Sequence, residues 1–260
     1  MAWTERQQAM LAEMGLRVWG RAVEAQPDPT QVAATPPVGE REPVRSAAAL
    51  PAAPAGNVIA LRAADLDWPE LRAAVAGCTA CALCQGRRQS VFGVGHPRAH
   101  WMIVGEAPGE REDEIGEPFV GRSGRLLDNM LSALGLGREQ DDADPARQVY
   151  IANAVKCRPP GNRNPEPAEL ATCEPYLRRQ IELVQPRVIL AMGRFAVLSL
   201  LKNGEPLGRL RGRVHDCDGV PLVVTYHPAY LLRNPEEKAK AWDDLCLAWQ
   251  TAQPAITFSS

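Results

Sequence analysis

The stretch from Trp101 to Gly124, WMIVGEAPGEREDEIGEPFVGRSG, constrains the fold of this chain more than any other. It begins with four apolar residues, Trp101 to Val104, which are typical of a buried strand, and a turn bounded by Gly105 and Gly109 follows at once. A carboxylate, Glu106, stands directly after the strand. Because ligands of open parallel sheets bind outside the carboxyl ends of the strands, this order predicts an α/β protein with a polar pocket at that edge.

Three more short apolar segments follow in the chain, and segments with helical periodicity separate them. This alternation predicts a three-layer α/β/α sandwich with a central four-stranded, mostly parallel sheet. The Gly- and Arg-rich stretch 204–213 is expected to form an exposed loop. The predicted strands are 101–104, 149–155, 187–192 and 221–226, and the predicted helices are 124–135 with Ser123 as its N-cap, 168–184, 194–201 and 235–251.

The predicted domain spans residues 61–252, and the segments around it differ in composition. Residues 1–21 carry a loosely amphipathic pattern, which predicts a helix that either packs on the domain or docks onto a partner. Residues 22–60 are rich in Pro and Ala without a sustained period, as in a disordered linker, and 253–260 form a short tail. The sequence shows no run of 18 apolar residues and no signal-peptide pattern, so we expect a cytoplasmic protein without membrane contact.

Seven cysteines in such a chain indicate metal or cluster ligation in a reducing compartment rather than disulfides. The candidate ligands come in two pairs from separate segments, Cys78-x2-Cys81 and Cys157-x15-Cys173. Four thiolates suit either zinc or an iron-sulfur cluster, and the spacing neither chooses the metal nor excludes Cys84 as a ligand. Two isolated cysteines are expected to be buried without a ligand: Cys217 and Cys246.

Polar residues stand at the ends of three of the four predicted strands. Glu106 follows the first strand, Asn153 lies at the end of the second, and His227 follows the fourth. Taken singly, each has an ordinary structural explanation, such as a turn cap or a loop histidine. Together at one edge of one sheet they predict a ligand site.

Basic residues cluster in the loops that border this predicted site. The formal net charge of the chain is -2, so binding to a polyanion must come from a local basic patch. We expect these residues to form a phosphate-binding rim, although scattered arginines usually belong to a solvated surface. They are Arg122, Arg125, Lys156, Arg158, Arg163, Arg209, Arg211, Arg213 and Arg233.

Four motifs resemble the family 4 uracil-DNA glycosylases, the iron-sulfur branch of that superfamily. They are GEAPGERED at 105–113, PFVGRSGRLL at 118–127, NAVKCRPPGNRNP at 153–165 and HPAYLLR at 227–233, and the resemblance runs from about Cys78 to Trp249. It implies the fold of that superfamily and hydrolysis of the N-glycosidic bond of deoxyuridine in DNA, which leaves an abasic site. The target nucleotide must leave the base stack for this reaction.

The resemblance also implies roles for individual residues. Phe119 would stack on the extruded uracil, the Asn153 amide would bind its O4 and N3 edge, and His227 would donate to O2 as the base leaves. Gly105, Ala107 and Gly109 would complete the uracil site. The implied cofactor is a [4Fe-4S] cluster on Cys78, Cys81, Cys157 and Cys173, with Cys84 as a nearby non-ligand.

The first motif departs from the classical branch of the superfamily, which places a water-positioning aspartate where this chain has Ala107. The carboxylate role therefore falls to Glu106, or to Glu112 acting with Asn162. Gly109 replaces a tyrosine that excludes thymine in the classical branch, so the exclusion of thymine has a less secure explanation here. A related branch binds uracil-DNA covalently through a histidine in the loop after the second strand, and here that loop, PPGNRNPEP, contains no histidine.

The expected partner is uracil-containing DNA, bound by a monomer whose N-terminal segment contacts a repair or replication protein. Tyr230 and Leu231 are expected to enter the duplex as a wedge. The expected DNA contacts also include Arg122, Ser123, Arg158, Arg163, Arg209, Arg211 and Arg233. Two other hypotheses remain open: a non-catalytic or covalent uracil-DNA-binding protein with a structural cluster, and a zinc-stapled nucleotide-binding protein.

Overall fold

A computed structural model of the chain describes residues 63–139 and 144–253. The predicted helix 1–21, the linker 22–60 and the tail after residue 253 lie outside the described residues. Within the described ranges, every helix is too short or too polar to cross a membrane.

In the described residues, six strands form one sheet: β1 (Val94–Gly95), β2 (Trp101–Gly105), β3 (Val149–Asn153), β4 (Val188–Met192), β5 (Val214–Cys217) and β6 (Val220–Thr225). Their order across the sheet is β1-β3-β2-β4-β6-β5. The four central strands are parallel and correspond to the four predicted strands, which confirms the predicted core of the sheet. An antiparallel strand at each edge, β1 on β3 and β5 on β6, was not predicted.

The α-helices of the described residues include two that the sequence analysis treated as loops. One, α3 (Glu110–Ile115), lies within the acidic turn after β2, and the other, α7 (Leu207–Leu210), lies within the expected loop 204–213. The helix predicted to begin after Ser123 instead begins at Arg122 with Gly121 as its N-cap, so Ser123 is not a cap. The helices are α1 (Trp68–Ala76), α2 (Leu83–Gly86), α3 (Glu110–Ile115), α4 (Arg122–Ser132), α5 (Pro167–Val184), α6 (Arg194–Leu201), α7 (Leu207–Leu210), α8 (Pro228–Leu231) and α9 (Lys238–Ala252).

Helices cover both faces of the sheet, as the predicted three-layer sandwich requires. Alternation along β2 sends Trp101 and Ile103 to one face, where they pack with α4, α8 and α9. Met102 and Val104 point to the other face, where they pack with α5 and α6. Because both faces are buried, the parallel strands consist of nearly continuous apolar residues.

α1 brings the first cysteines to the main domain. Asp67 caps this helix in a reciprocal pair with Glu70, in which each side chain accepts the other residue's backbone N–H. Its buried face, Leu71 and Val75, packs in a third apolar cluster that also contains Cys157 and Cys173. This packing places the segment after α1 beside Cys157, which follows β3, and Cys173 of α5.

Candidate active site

A cavity of about 660 Å³ opens at the carboxyl ends of the parallel strands. This is the edge that the sequence predicted, and the volume lies within the usual range for small-ligand sites. The chain runs from β2 to β3 on one side of β2 and then crosses to β4 on the other side of β2. The cavity therefore sits at a topological switch point of the sheet. Predicted site residues in its wall are Glu106, Ala107, Gly109, Glu112, Phe119, Ser123, Asn153, Asn162, Arg163, His227, Tyr230 and Arg233.

The floor of the cavity forms where Asn153 and Phe119 converge over Gly105. Gly105 and Asn153 are direct neighbours across the β2–β3 pair. A Cβ at residue 105 would lie 2.4 Å from Asn153 Oδ1 and 2.6 Å from Phe119 Cζ. A glycine is therefore required here for the amide and the ring to come together.

Glu112 holds the loop that carries Phe119. Its Oε2 accepts the N–H of Gly109 at 3.1 Å, and its Oε1 accepts those of Val120 at 3.1 Å and Gly121 at 3.4 Å. Phe119 has φ of 56°, a left-handed conformation that costs a non-glycine residue roughly 1–2 kcal/mol. The buried carboxylate thus fixes the backbone on both sides of this loop and stabilises the strained residue.

Glu112 and Asn162 line the same cavity but form no hydrogen bond with each other in the described structure. Instead, Asn162 Oδ1 accepts from Arg158 Nε at 2.8 Å, and Arg158 also pairs with Glu110 at 3.4 Å. The predicted cooperation of Glu112 with Asn162 is therefore not a direct contact in this structure, because each side chain is occupied by other partners.

His227 stacks on Phe119, with the ring centroids 5.3 Å apart. Its Nδ1 accepts the backbone N–H of Ala229 at 3.1 Å, so the neutral ring carries its proton on Nε2. Burial, assisted by the positive charge of Arg233, lowers the pKa of His227 to about 4. At neutral pH the cavity wall therefore presents a neutral imidazole with one donor.

Glu106 occupies the gap between the ends of β2 and β4. Its Oε1 accepts the N–H of Phe195 at 3.0 Å in the first turn of α6. Gly193 permits this approach, since a Cβ there would lie 2.5 Å from that oxygen. Burial raises the pKa of Glu106, and the backbone N–H groups of α6 oppose the increase.

Several predicted basic residues have structural partners. Arg211 Nε donates to Asp244 at 2.7 Å, and its guanidinium lies 4.5 Å from the centre of the Tyr226 ring. Asp244 is fully buried and this guanidinium is its counter-charge, so Arg211 has a structural role here, and its contact with phosphate stays a prediction. Arg163 lines the cavity but pairs with Glu169 at 2.6 Å.

The other rim residues divide between the surface and the interior. Lys156 was expected at the rim, but it is 1% exposed and lies in the core. Arg122, Arg158 and Arg209 are outside the cavity wall, and Arg233 lies in it.

Of the two residues predicted to enter the duplex as a wedge, one is exposed and the other is buried. Tyr230 is 37% exposed at the cavity mouth, whereas Leu231 is 1% exposed and packs in the core with α4. Leu231 is therefore not at the surface of this structure, and its entry into DNA stays a prediction. Its neighbour Leu232 is 37% exposed instead, because the helical turn of α8 directs adjacent side chains differently.

The residues of the cavity wall that sequence reasoning missed include Arg194, Leu207 and Tyr226. Arg194 begins α6 directly after β4, so the strand-end rule that selected Glu106 would have found it. Leu207 belongs to the overlooked α7, and Tyr226 was assigned to a strand that ends one residue earlier.

Five cysteines line one narrow cavity on the α1 side of the domain: Cys78, Cys81, Cys84, Cys157 and Cys173. Arg87 donates to Cys157 Sγ at 2.9 Å, and the backbone N–H of Lys156 donates to Cys173 Sγ at 3.2 Å. All seven cysteines are free of disulfides. Over the described ranges, no three His, Cys, Asp or Glu side chains are arranged to hold a single metal ion.

Comparisons with known proteins identify the family of this chain. Residues 92–246 match the family model described as the uracil DNA glycosylase superfamily. The chain is 42% identical over 174 residues to a type-4 uracil-DNA glycosylase of Sulfurisphaera tokodaii, a match that covers 64% of this chain and 76% of that protein. It is 39% identical over 190 residues to one of Pyrobaculum aerophilum (70% and 93% covered) and 44% identical over 160 residues to one of Thermotoga maritima (60% and 79% covered). The chain therefore belongs to the uracil DNA glycosylase superfamily and, within it, to the type-4 family.

Proposed function

We propose that this protein hydrolyses the N-glycosidic bond of deoxyuridine in DNA, releasing uracil and leaving an abasic site for base excision repair. The observation that carries this proposal is the convergence of Phe119, Asn153 and His227 on one cavity. An aromatic face, an amide and an imidazole donor are the groups that bind an extruded uracil. The similarity to proteins named type-4 uracil-DNA glycosylases supports the same reaction.

The neutral state of His227 suits the departure of the base. As the glycosidic bond breaks, negative charge develops on uracil O2 while the sugar gains oxocarbenium character. The Nε2–H of His227, fixed by the bond from Ala229 to Nδ1, can donate to this oxygen without a change of tautomer. Preorganised donors of this kind typically contribute a factor of about a hundred to a thousand in rate.

Of the two candidate carboxylates, we assign the attacking water to Glu106. Glu112 uses both of its oxygens to bind backbone N–H groups, so we assign it the positioning of the Phe119 loop. Glu106 lies in the cavity wall directly after β2, and its Oε1 accepts the N–H of Phe195. Its second oxygen is the one that would hold water or stabilise positive charge on the sugar.

We further propose that the cysteine cavity holds a [4Fe-4S] cluster on Cys78, Cys81, Cys157 and Cys173. Thiolates on one tetrahedral zinc at about 2.3 Å lie within roughly 4 Å of each other, whereas in a cubane each thiolate binds a different iron and the ligands stand farther apart. Five thiols around one cavity can supply the ligands of either group, and the similarity to proteins named type-4 uracil-DNA glycosylases favours the cluster. The cluster would join the segment after α1 to β3 and α5, and Arg87 would donate to a coordinating sulfur.

The reaction is tested with an oligonucleotide that contains one deoxyuridine, followed by alkali to cleave abasic sites. After treatment with wild-type protein, alkali is expected to cleave the oligonucleotide at the position of the deoxyuridine. Asn153→Ala is expected to slow single-turnover excision by about a hundredfold. Asn129→Ala, the same change at an exposed position of α4, serves as the control. Binding without cleavage would favour the non-catalytic hypothesis, and an adduct that survives denaturation would favour the covalent one.

The role of Glu106 is tested by Glu106→Gln, with Glu117→Gln as an exposed control in the same stretch, 101–124. The first variant is expected to slow excision on the order of a hundredfold while binding abasic-site DNA normally. Excision at the wild-type rate would contradict the assignment of water to Glu106.

The cluster is tested by iron analysis of anaerobically purified protein. We expect about four irons per chain and a brown colour. Cys173→Ser should lose both, whereas Cys217→Ser, at another buried cysteine, should retain them. A colourless wild-type protein with stoichiometric zinc would refute the cluster.

A further inference from the structure

A lysine lies inside the domain between the cysteine cavity and the uracil site. Lys156 is 1% exposed, and its Nζ donates to the backbone carbonyl of Asn153 at 2.9 Å and to Gln180 Oε1 at 2.6 Å. No Asp or Glu pairs with it in the described structure. A buried ammonium without a carboxylate is expensive, so such a residue is expected where it serves a definite role.

The partners of Lys156 tie it to both sites. Its backbone N–H donates to Cys173 Sγ at 3.2 Å, and its carbonyl accepts from Val91 at 2.8 Å. Gln180 lies seven residues after Cys173 on α5, which places both on one face of that helix. The same helix therefore delivers a thiol and an amide to one lysine.

The amide of Gln180 is also fully used. Its Nε2 donates to the carbonyl of Phe92 at 2.9 Å and to the hydroxyl of Tyr150 on β3 at 3.1 Å. A buried polar network in which every member has partners is rigid, and removal of one member leaves the others unsatisfied. The end of β3, with Asn153, is thus held from below by Lys156 and Gln180.

We propose that Lys156 is a positioning residue that holds the Asn153 backbone, and thereby the amide that binds uracil, in a place set by the cysteine cavity. This inference rests on the proposed function, since it concerns the uracil-binding role of Asn153. In this proposal the cysteine site does more than join segments of the chain. Cys173 and α5 fix the position of Lys156, and Lys156 in turn fixes the position of the backbone at the end of β3.

The test is Lys156→Met, which retains the length and apolar volume of the side chain but removes its donors. Lys240→Met, at an exposed lysine, is the matched control. We expect Lys156→Met to retain its iron and visible absorption and to slow excision by roughly tenfold to a hundredfold, since misplacement by about 1 Å has effects of that size. Binding to DNA with a non-hydrolysable deoxyuridine analogue should weaken, whereas binding to abasic-site DNA, which offers no base to Asn153, should not change.

A double-mutant cycle separates positioning from general stability. In an Asn153→Ala background, Lys156→Met should change excision by less than about threefold, because the group that it positions is already absent. An equal loss in both backgrounds, or equal weakening on both DNA ligands, would overturn the proposal. Wild-type protein that does not excise uracil would instead refute the proposed function, and the two binding measurements would still test the role of Lys156.

Should Lys156→Met lose its iron, Gln180→Leu replaces it in the same cycle. This variant leaves the lysine in place and removes only its second acceptor and the two bonds from Gln180 Nε2. We expect Gln180→Leu to slow excision when Asn153 is present and to have little effect on the excision rate in the Asn153→Ala background. Excision by Gln180→Leu at the wild-type rate would refute the proposal.

Discussion

Replacing Gly105 with alanine should damage the proposed uracil site more than the fold. The added Cβ would lie 2.4 Å from Asn153 Oδ1 and 2.6 Å from Phe119 Cζ, where ordinary contacts begin at 3.4 Å. One or both side chains must therefore retreat by about 1 Å, and a displacement of this size at a reacting centre costs about a hundredfold in rate, or roughly 2.7 kcal/mol of transition-state stabilisation.

The assay is single-turnover excision of uracil at saturating protein, with thermal unfolding measured in parallel. Gly208→Ala is the matched control, because a Cβ at that position in α7 meets nothing within 4 Å. We expect Gly105→Ala to bind abasic-site DNA like the wild type and to excise about a hundredfold more slowly. Excision within about threefold of the wild-type rate, less than roughly 1 kcal/mol, would show that the close approach of Asn153 and Phe119 is not needed.

Three further outcomes follow from the contacts of particular residues. Arg211→Ala should lower the free energy of unfolding by about 3 kcal/mol, because it leaves the buried carboxylate of Asp244 without its counter-charge. Arg209→Ala, at an exposed position, should leave the free energy of unfolding unchanged. If Arg209 contacts phosphate, its removal should also flatten the salt dependence of DNA binding. The pKa of His227 is about 4 in the folded protein and about 6.5 in the unfolded chain, so the unfolded chain takes up the proton first as the pH falls. The free energy of unfolding should therefore decrease by up to roughly 3 kcal/mol as the pH drops from about 6.5 to 4. Denaturant titrations of His227→Gln at the same pH values should lack this decrease. Gly124→Ala would place a Cβ 1.8 Å from a backbone carbonyl oxygen, so the variant should melt well below wild type, and an unchanged melting temperature would contradict this contact.

Much of the architecture was accessible from local sequence patterns. The four central strands are short apolar segments that end at turns, and they are buried on both faces, so each leaves an uninterrupted signal. The edge strands leave none: β1 has only two residues, and β5 is mostly exposed. α3 was missed because its acidic residues resemble an exposed turn, although two of them, Glu112 and Asp113, are buried.

The location of the site at the ends of the strands could be predicted from the sequence. The contacts that distinguish its individual residues could not. Glu106 and Glu112 are equivalent as residue types, and only the fold gives one a place between β2 and β4 and the other three backbone donors. Leu231 and Leu232 differ by one position, which on a helix is enough to exchange core for solvent.

The sequence by itself determined the strand order along the chain, the pocket edge, the cysteine ligands to consider and, through its motifs, the family. The tertiary structure decided which charged residues belong to the interior. Lys156 and Arg211 stand among basic residues that look alike in the sequence, yet one lies beneath Asn153 and the other against Asp244. Burial and pairing of a charge depend on partners 24 and 33 positions away, Gln180 for Lys156 and Asp244 for Arg211, and local residue patterns carry no information about such long-range contacts.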